Sequence, residues 1–132
     1  MPKTFTYNKT EKLKSKKQLD FLFANGKSFL VFPLKVFYNF TEKQDVNNIN
    51  LGVGVSKRNF KKATDRNRIK RLIREAYRLN KISLHQNVTN KQLHFFILFI
   101  DKTMPEKRMH LDDKMIKILD KLNTIYNNEL VV

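Results

Sequence analysis

Residues 63–80 read ATDRNRIKRLIREAYRLN, and this stretch defines a helix with two unlike faces. Ile69, Leu72, Ile73, Ala76 and Tyr77 follow the spacing i, i+3, i+4, i+7, i+8, one apolar stripe of a helix. At about 100° per residue, Arg74, Asn67, Arg78 and Arg71 fall within about 60° of one another on the opposite side, flanked by Lys70 and Arg68. Asp65 and Glu75 are the only acids in the stretch. Like charges one turn apart repel by a few tenths of a kcal/mol each, so the arrangement has little structural benefit. One face needs a core, and the other suits a polyanion.

Upstream, residues 51–57 read LGVGVSK, a strand pattern with Leu51, Val53 and Val55 on one face and Gly52 and Gly54 on the other. The bare glycine face lets something approach the backbone, either a packed helix or a ligand. Residues 29–40, FLVFPLKVFYNF, read as one long strand with Pro33 at an edge or bulge. Its period of two sets Leu34, Val36 and Tyr38 toward a core and Lys35, Phe37 and Asn39 away from it. A lysine beside an aromatic suits a backbone phosphate and a stacked base, or forms a half-exposed sheet surface. Residues 41–49 read as a polar hairpin loop. A short helix over residues 16–25 begins with a capping box from Ser15 to Gln18 and ends at Asn25 and Gly26, which supply a left-handed stop.

Downstream, residues 82–92 are polar and read as a loop. Residues 94–101, HFFILFID, form an uninterrupted apolar run, the pattern of a strand in the middle of a sheet. A last helix covers about residues 111–127, with Met115, Ile118, Leu119, Leu122, Ile125 and Tyr126 as its buried stripe. The order helix, strand, strand, helix, strand, helix gives an α/β fold. It is a two-layer sandwich in which a small sheet is covered by helices on one side. The basic helix and the open sheet face then border a common groove if the first helix packs at the sheet edge.

The chain has 132 residues, a length for a single domain, with residues 1–12 an extended basic arm. The formal net charge is +15, of which +14 lies in residues 1–81 and +1 in residues 82–132. So lopsided an excess is what a phosphate-binding surface produces. No window reaches the roughly 18 apolar residues of a membrane span, and the lysine-rich start is not a secretory signal. With no cysteine there is no disulfide framework, thiolate metal site or Cys nucleophile, which fits a cytoplasmic protein.

No catalytic or metal site is visible. His85, His94 and His110 lie far apart, the three glycines form no phosphate loop, and the aspartates are scattered. The binding chemistry is plainer. Arginine forks grip phosphate bidentately and stack on bases, and Asn67 adds a donor and an acceptor. RNA is the expected ligand, structured against the helix and single-stranded on the sheet. A DNA reader would show a helix-turn-helix or zinc module, and a membrane-surface helix would need the apolar stripe that the core takes.

Residues 66–78, RNRIKRLIREAYR, preceded by the Gly-Val-Ser-Lys run at residues 54–57, closely resemble the arginine-rich motif of the bacterial ribonuclease P protein subunit. The resemblance covers most of the chain. It implies an accessory subunit of the enzyme that removes the 5′ leader from precursor tRNA, with the catalytic centre and its magnesium in an RNA partner. It also implies a left-handed βαβ crossover, against the general rule. Contacts to the catalytic RNA would fall on Arg66, Asn67, Arg68, Lys70, Arg71, Arg74 and Arg78. The leader would pass between the first helix and the sheet, at Leu19, Phe23, Lys35 and Phe37. Residues 58–65 form a segment one residue longer than the commonest family form and lack its glycine. An RNA- or ribosome-binding module with no processing role is the alternative that the same helix allows.

Overall fold

The computed structural model describes residues 16–42, 48–105 and 109–131. The basic arm at residues 1–12 and the Ser15 cap lie outside them. The elements run α1 (Lys16–Asn25), β1 (Lys27–Val31), β2 (Leu34–Glu42), β3 (Ile49–Val55), α2 (Ala63–Asn80), α3 (Ile82–Asn87), β4 (Lys91–Phe99) and α4 (Met109–Val131). The strands form one mixed sheet in the order β1-β2-β4-β3. β1 pairs antiparallel with β2 and β2 with β4, whereas β3 lies parallel to β4. A parallel pair requires a long crossover, and α2 with α3 supplies it.

Three readings of the sequence are corrected here. The single strand expected over residues 29–40 is a hairpin: Val31 faces Leu34 across a turn at Phe32 and Pro33. Proline has no N–H to give to a ladder, so the apolar run breaks there, and the Pro33 carbonyl accepts from Ile100 N–H at 2.9 Å. The hairpin expected over residues 41–49 falls largely outside the described residues, and β2 and β3 on either side of it do not pair, because β4 lies between them. Part of the polar stretch at residues 82–92 is the helix α3. It carries buried Leu84 and is fastened by Asn87 Nδ2, which donates to Asn123 Oδ1 at 3.1 Å and to Asn127 Oδ1 at 3.0 Å. Six residues are too few to show a helical period.

The core lies between one sheet face and the two long helices. Leu34, Val36, Leu51, Leu93, Phe95, Ile97 and Phe99 meet Ile69, Ile73, Ala76 and Tyr77 of α2 and Met115, Ile118, Leu119 and Leu122 of α4. Leu72 and Ile125 of the expected stripes are partly buried. Each fully buried aliphatic or aromatic side chain contributes about 1.5–3 kcal/mol relative to exposure. Tyr77 keeps its hydroxyl satisfied inside this layer through His85 Nε2 at 2.8 Å.

Helix α1 does not join the other helices. Its Phe23 ring packs against Phe37 and Phe96, which point out of the opposite sheet face. Nor is Gly26 a left-handed stop, since no glycine among the described residues has a positive φ. Its N–H donates to the Leu22 carbonyl at 2.8 Å, and a Cβ there would lie 2.5 Å from the Leu22 oxygen and 2.9 Å from the Tyr38 oxygen. Glycine is needed for that close approach rather than for its backbone angles.

Candidate nucleic-acid interface

Two surfaces carry the residues singled out above, and they lie on opposite sides of the sheet. The first is the outward face of α2. Because Ile69, Ile73, Ala76 and Tyr77 are held in the core, the helix phase is fixed and its basic side must face away from the sheet. Asn67, Arg68 and Arg71 are exposed, while Lys70 and Arg74 are half-buried.

Arg66 and Arg78 are already engaged. Arg66 Nη1 donates to the Phe60 carbonyl at 2.8 Å and the Lys61 carbonyl at 2.9 Å, tying the β3–α2 loop to the helix start. Lys62, at the N-cap, makes no side-chain capping bond, so this arginine holds residues 58–65 to the helix start. Arg78 pairs with Glu75 through Nη2 to Oε1 and through Nε to Oε2 at 3.1 Å. The Glu75 hydrogen bond holds the Arg78 guanidinium above its ordinary pKa.

The loop adds cations that the helical period does not reveal. Lys57, Arg58, Lys61 and Lys62 are all exposed and continue the charged surface beyond the start of α2. The run is plain in the sequence as KRNFKK at residues 57–62, but without periodicity it carries no direction. The structure supplies one: Arg58 N–H donates to Ser56 Oγ at 3.2 Å, and Asn59 Nδ2 donates to the Ile100 carbonyl at 3.3 Å, fixing the loop at the C-terminal end of β4.

The second surface is the sheet face turned away from α2 and α4. The register places Leu30, Lys35, Leu98 and Gly54 in one row across the strands, and Ser28, Phe37, Phe96 and Gly52 in the next. Phe23 meets Phe37 at 5.2 Å with the ring planes 86° apart, and Phe96 at 5.3 Å and 77°. Lys35 Nζ lies 5.2 Å from the Phe37 ring centroid. Three of the four residues expected at this face, Phe23, Lys35 and Phe37, are therefore brought together. Leu19 stands one turn earlier on α1, half-buried.

The third row is polar, with Asn39, His94 and Asn50 side by side. Gln92 Nε2 donates to Asn50 Oδ1 at 2.7 Å, and burial holds the His94 imidazole below its ordinary pKa. Among the described residues, no three His, Asp or Glu side chains are grouped as metal ligands would be. No helix among them is long and apolar enough to cross a membrane.

The placement of α2 alters the expected groove. The basic helix and the Lys35–Phe37 face do not confront each other, since the sheet and its core lie between them.

The sequence profile of the family described as Ribonuclease P matches residues 7–123. The chain belongs to this family. The ribonuclease P protein component of Porphyromonas gingivalis is 39% identical over 99 residues, covering 75% of this chain and 72% of the relative. That of Clostridium botulinum is 34% identical over 121 residues, covering 90% and 99%. Among solved structures, the ribonuclease P protein of Thermotoga maritima superposes with a TM-score of 0.66 at 23% identity, covering 84% of this chain and 96% of that one. A ribonuclease P protein from Staphylococcus aureus, a mutant with defective mRNA degradation activity, gives 0.66 at 19% identity over 86% and 89%. These structural likenesses show the shared fold. As a ribonuclease P protein component, the chain is a subunit of the bacterial tRNA-processing ribonucleoprotein and has an RNA partner.

Proposed function

We propose that this subunit binds the catalytic RNA through the outward face of α2 and the loop at residues 57–62, and the 5′ leader of precursor tRNA on the open sheet face. It assists removal of the leader, while the scissile chemistry and its magnesium reside in the RNA. The observation that carries this reading is the disposition of α2: Asn67, Arg68, Lys70, Arg71 and Arg74 are turned away from a core that fixes the helix phase. Such a face forms bidentate phosphate contacts without unfolding anything.

The sheet face supplies what a single strand needs, a lysine for phosphate and partly exposed rings for bases. Because the two surfaces lie on opposite sides, the protein can stand between the two RNAs and shield each from the other. The cytoplasm is the compartment we assign, in keeping with a chain that has no cysteine.

The test is reconstitution with the matching catalytic RNA, followed by measurement of leader removal at low magnesium. The protein should stimulate cleavage there and strengthen binding of precursor over mature tRNA. RNA binding with no stimulation would instead assign an RNA- or ribosome-binding role without processing. Sustained site-specific cleavage by purified protein alone would place the chemistry in the chain and reject the proposal.

A further inference from the structure

Phe96 sits on the open sheet face, directly opposite Phe37 on β2 and Gly52 on β3. Its ring leans along the sheet onto the next open-face position of β3, Gly54. A Cβ at Gly54 would lie 2.6 Å from Phe96 Cζ and 2.9 Å from Cε1, far inside the roughly 3.5–4.0 Å of ordinary carbon contact. Any side chain at residue 54 would lift the ring. A glycine within a strand weakens it and marks a close approach, and here the approaching group is a large aromatic on the face away from the core. Phe96 is only half-buried there, and Phe23 meets it at 5.3 Å with the ring planes 77° apart.

We propose that Phe96 is a second leader-stacking residue beside Phe37, and that Gly54 is the positioning residue that lays its ring low enough to take an unpaired base. The inference rests on the assignment of the open face to the leader and deepens it: the face holds more than one unpaired nucleobase. Lys35, in the row next to both rings, supplies the phosphate contact between them.

The experiment uses the protein reconstituted with its catalytic RNA, precursor tRNAs of graded leader length, and 2-aminopurine at successive leader positions. Phe96→Leu keeps apolar bulk but removes the flat ring. It should weaken leader-bearing substrate about tenfold, leave mature tRNA unchanged and abolish 2-aminopurine quenching at one leader position. Gly54→Ala should lose the same quenching, and the double variant should bind no worse than Phe96→Leu alone. Thermal melting of each variant separates these effects from loss of fold.

Phe96→Leu binding within twofold of the unaltered protein, while Phe37→Ala weakens the leader-bearing substrate, would overturn the role of Phe96 and leave the leader site standing. Equal weakening of mature and leader-bearing tRNA by Phe96→Leu would make the ring structural and also overturn it. Affinity independent of leader length in the unaltered protein would reject the leader site itself.

Discussion

Replacing Arg71 by Ala tests whether the basic face of α2 meets phosphate. Arg71 is exposed and opposite the core stripe, so its loss removes a charge without opening a cavity. Per phosphate neutralised, log K falls with log salt by about 0.9 on B-form DNA, the upper value for these contacts. Arg68, Lys70, Arg71 and Arg74, with the four cations of the loop at residues 57–62, set an upper slope of roughly −7, and the helix alone gives about −3.6. Arg71→Ala should flatten the slope by nearly one unit. Across a fourfold rise in salt, a change of about 0.9 in slope alters the affinity ratio by about 3.5-fold, within reach of filter binding or anisotropy with the catalytic RNA. Arg78 is the internal control. Its guanidinium is paired with Glu75, so removing the pair together as Glu75→Gln/Arg78→Ala leaves the net charge unchanged and should change the slope by less than half as much. Equal changes for Arg71→Ala and for this double variant would refute the distinction drawn from their partners, and no change for Arg71 would mean that the face merely meets solvent.

Arg66→Ala should act on stability more than on charge. It removes two charge-assisted bonds to the Phe60 and Lys61 carbonyls and should lower unfolding free energy by about 1–2 kcal/mol, read from the urea midpoint. An unchanged midpoint would show that the loop holds itself. His94 should make stability depend on pH. Burial depresses its folded pKa, so the unfolded chain takes up the proton first as pH falls; the contribution is complete above the unfolded value of about 6.5 and declines below it. His94→Gln should flatten melting temperature between pH 8 and pH 5, and an unaltered profile would assign the loss elsewhere. Phe37→Ala should weaken leader-bearing precursor by about 1–3 kcal/mol while sparing mature tRNA. Combined with Arg71→Ala, its effect on precursor affinity should add within about 0.5 kcal/mol, because the sites share no partner and lie on opposite faces.

The helices were legible where a period could accumulate. Residues 63–80 and 16–25 match α2 and α1 at both ends, since apolar spacing sets phase, and α1 stops at Gly26 through close packing rather than a left-handed turn. Where two signals overlapped, the reading failed. Residues 29–40 are apolar throughout, so Pro33 read as a blemish in one strand rather than as the turn between two. The run at residues 94–101 correctly marked a central strand, but unbroken apolarity hid its two-faced character. Leu93, Phe95, Ile97 and Phe99 are in the core, whereas Phe96 and Leu98 are on the open face. Phe96 was therefore not among the residues expected on the open face. Periodicity also places a charge on a face without showing its partner. Arg66 and Arg78 stand among the outward cations, yet backbone carbonyls and Glu75 occupy them.

The distribution of charge has a consequence beyond individual contacts. At physiological salt, interactions are screened over about 8 Å, less than the roughly 10 Å diameter of a helix. Cations on α2 therefore act weakly on a strand beyond the sheet, and Lys35 has little effect on RNA beyond α2. Each surface needs its own cations, and among the described residues each has them: a dense set from Lys57 to Arg74 on one side, and Lys35 with Lys16 and Lys17 at the start of α1 on the other. A folded catalytic RNA presents closely spaced phosphates and takes many cations, whereas a single strand gains comparable affinity from stacking, at about 1–3 kcal/mol per base, with fewer. If the two surfaces work this way, added salt loosens the protein from the catalytic RNA before it loosens the leader from the protein. Magnesium need then rises with salt through the α2 contact, because that contact holds the shield in place.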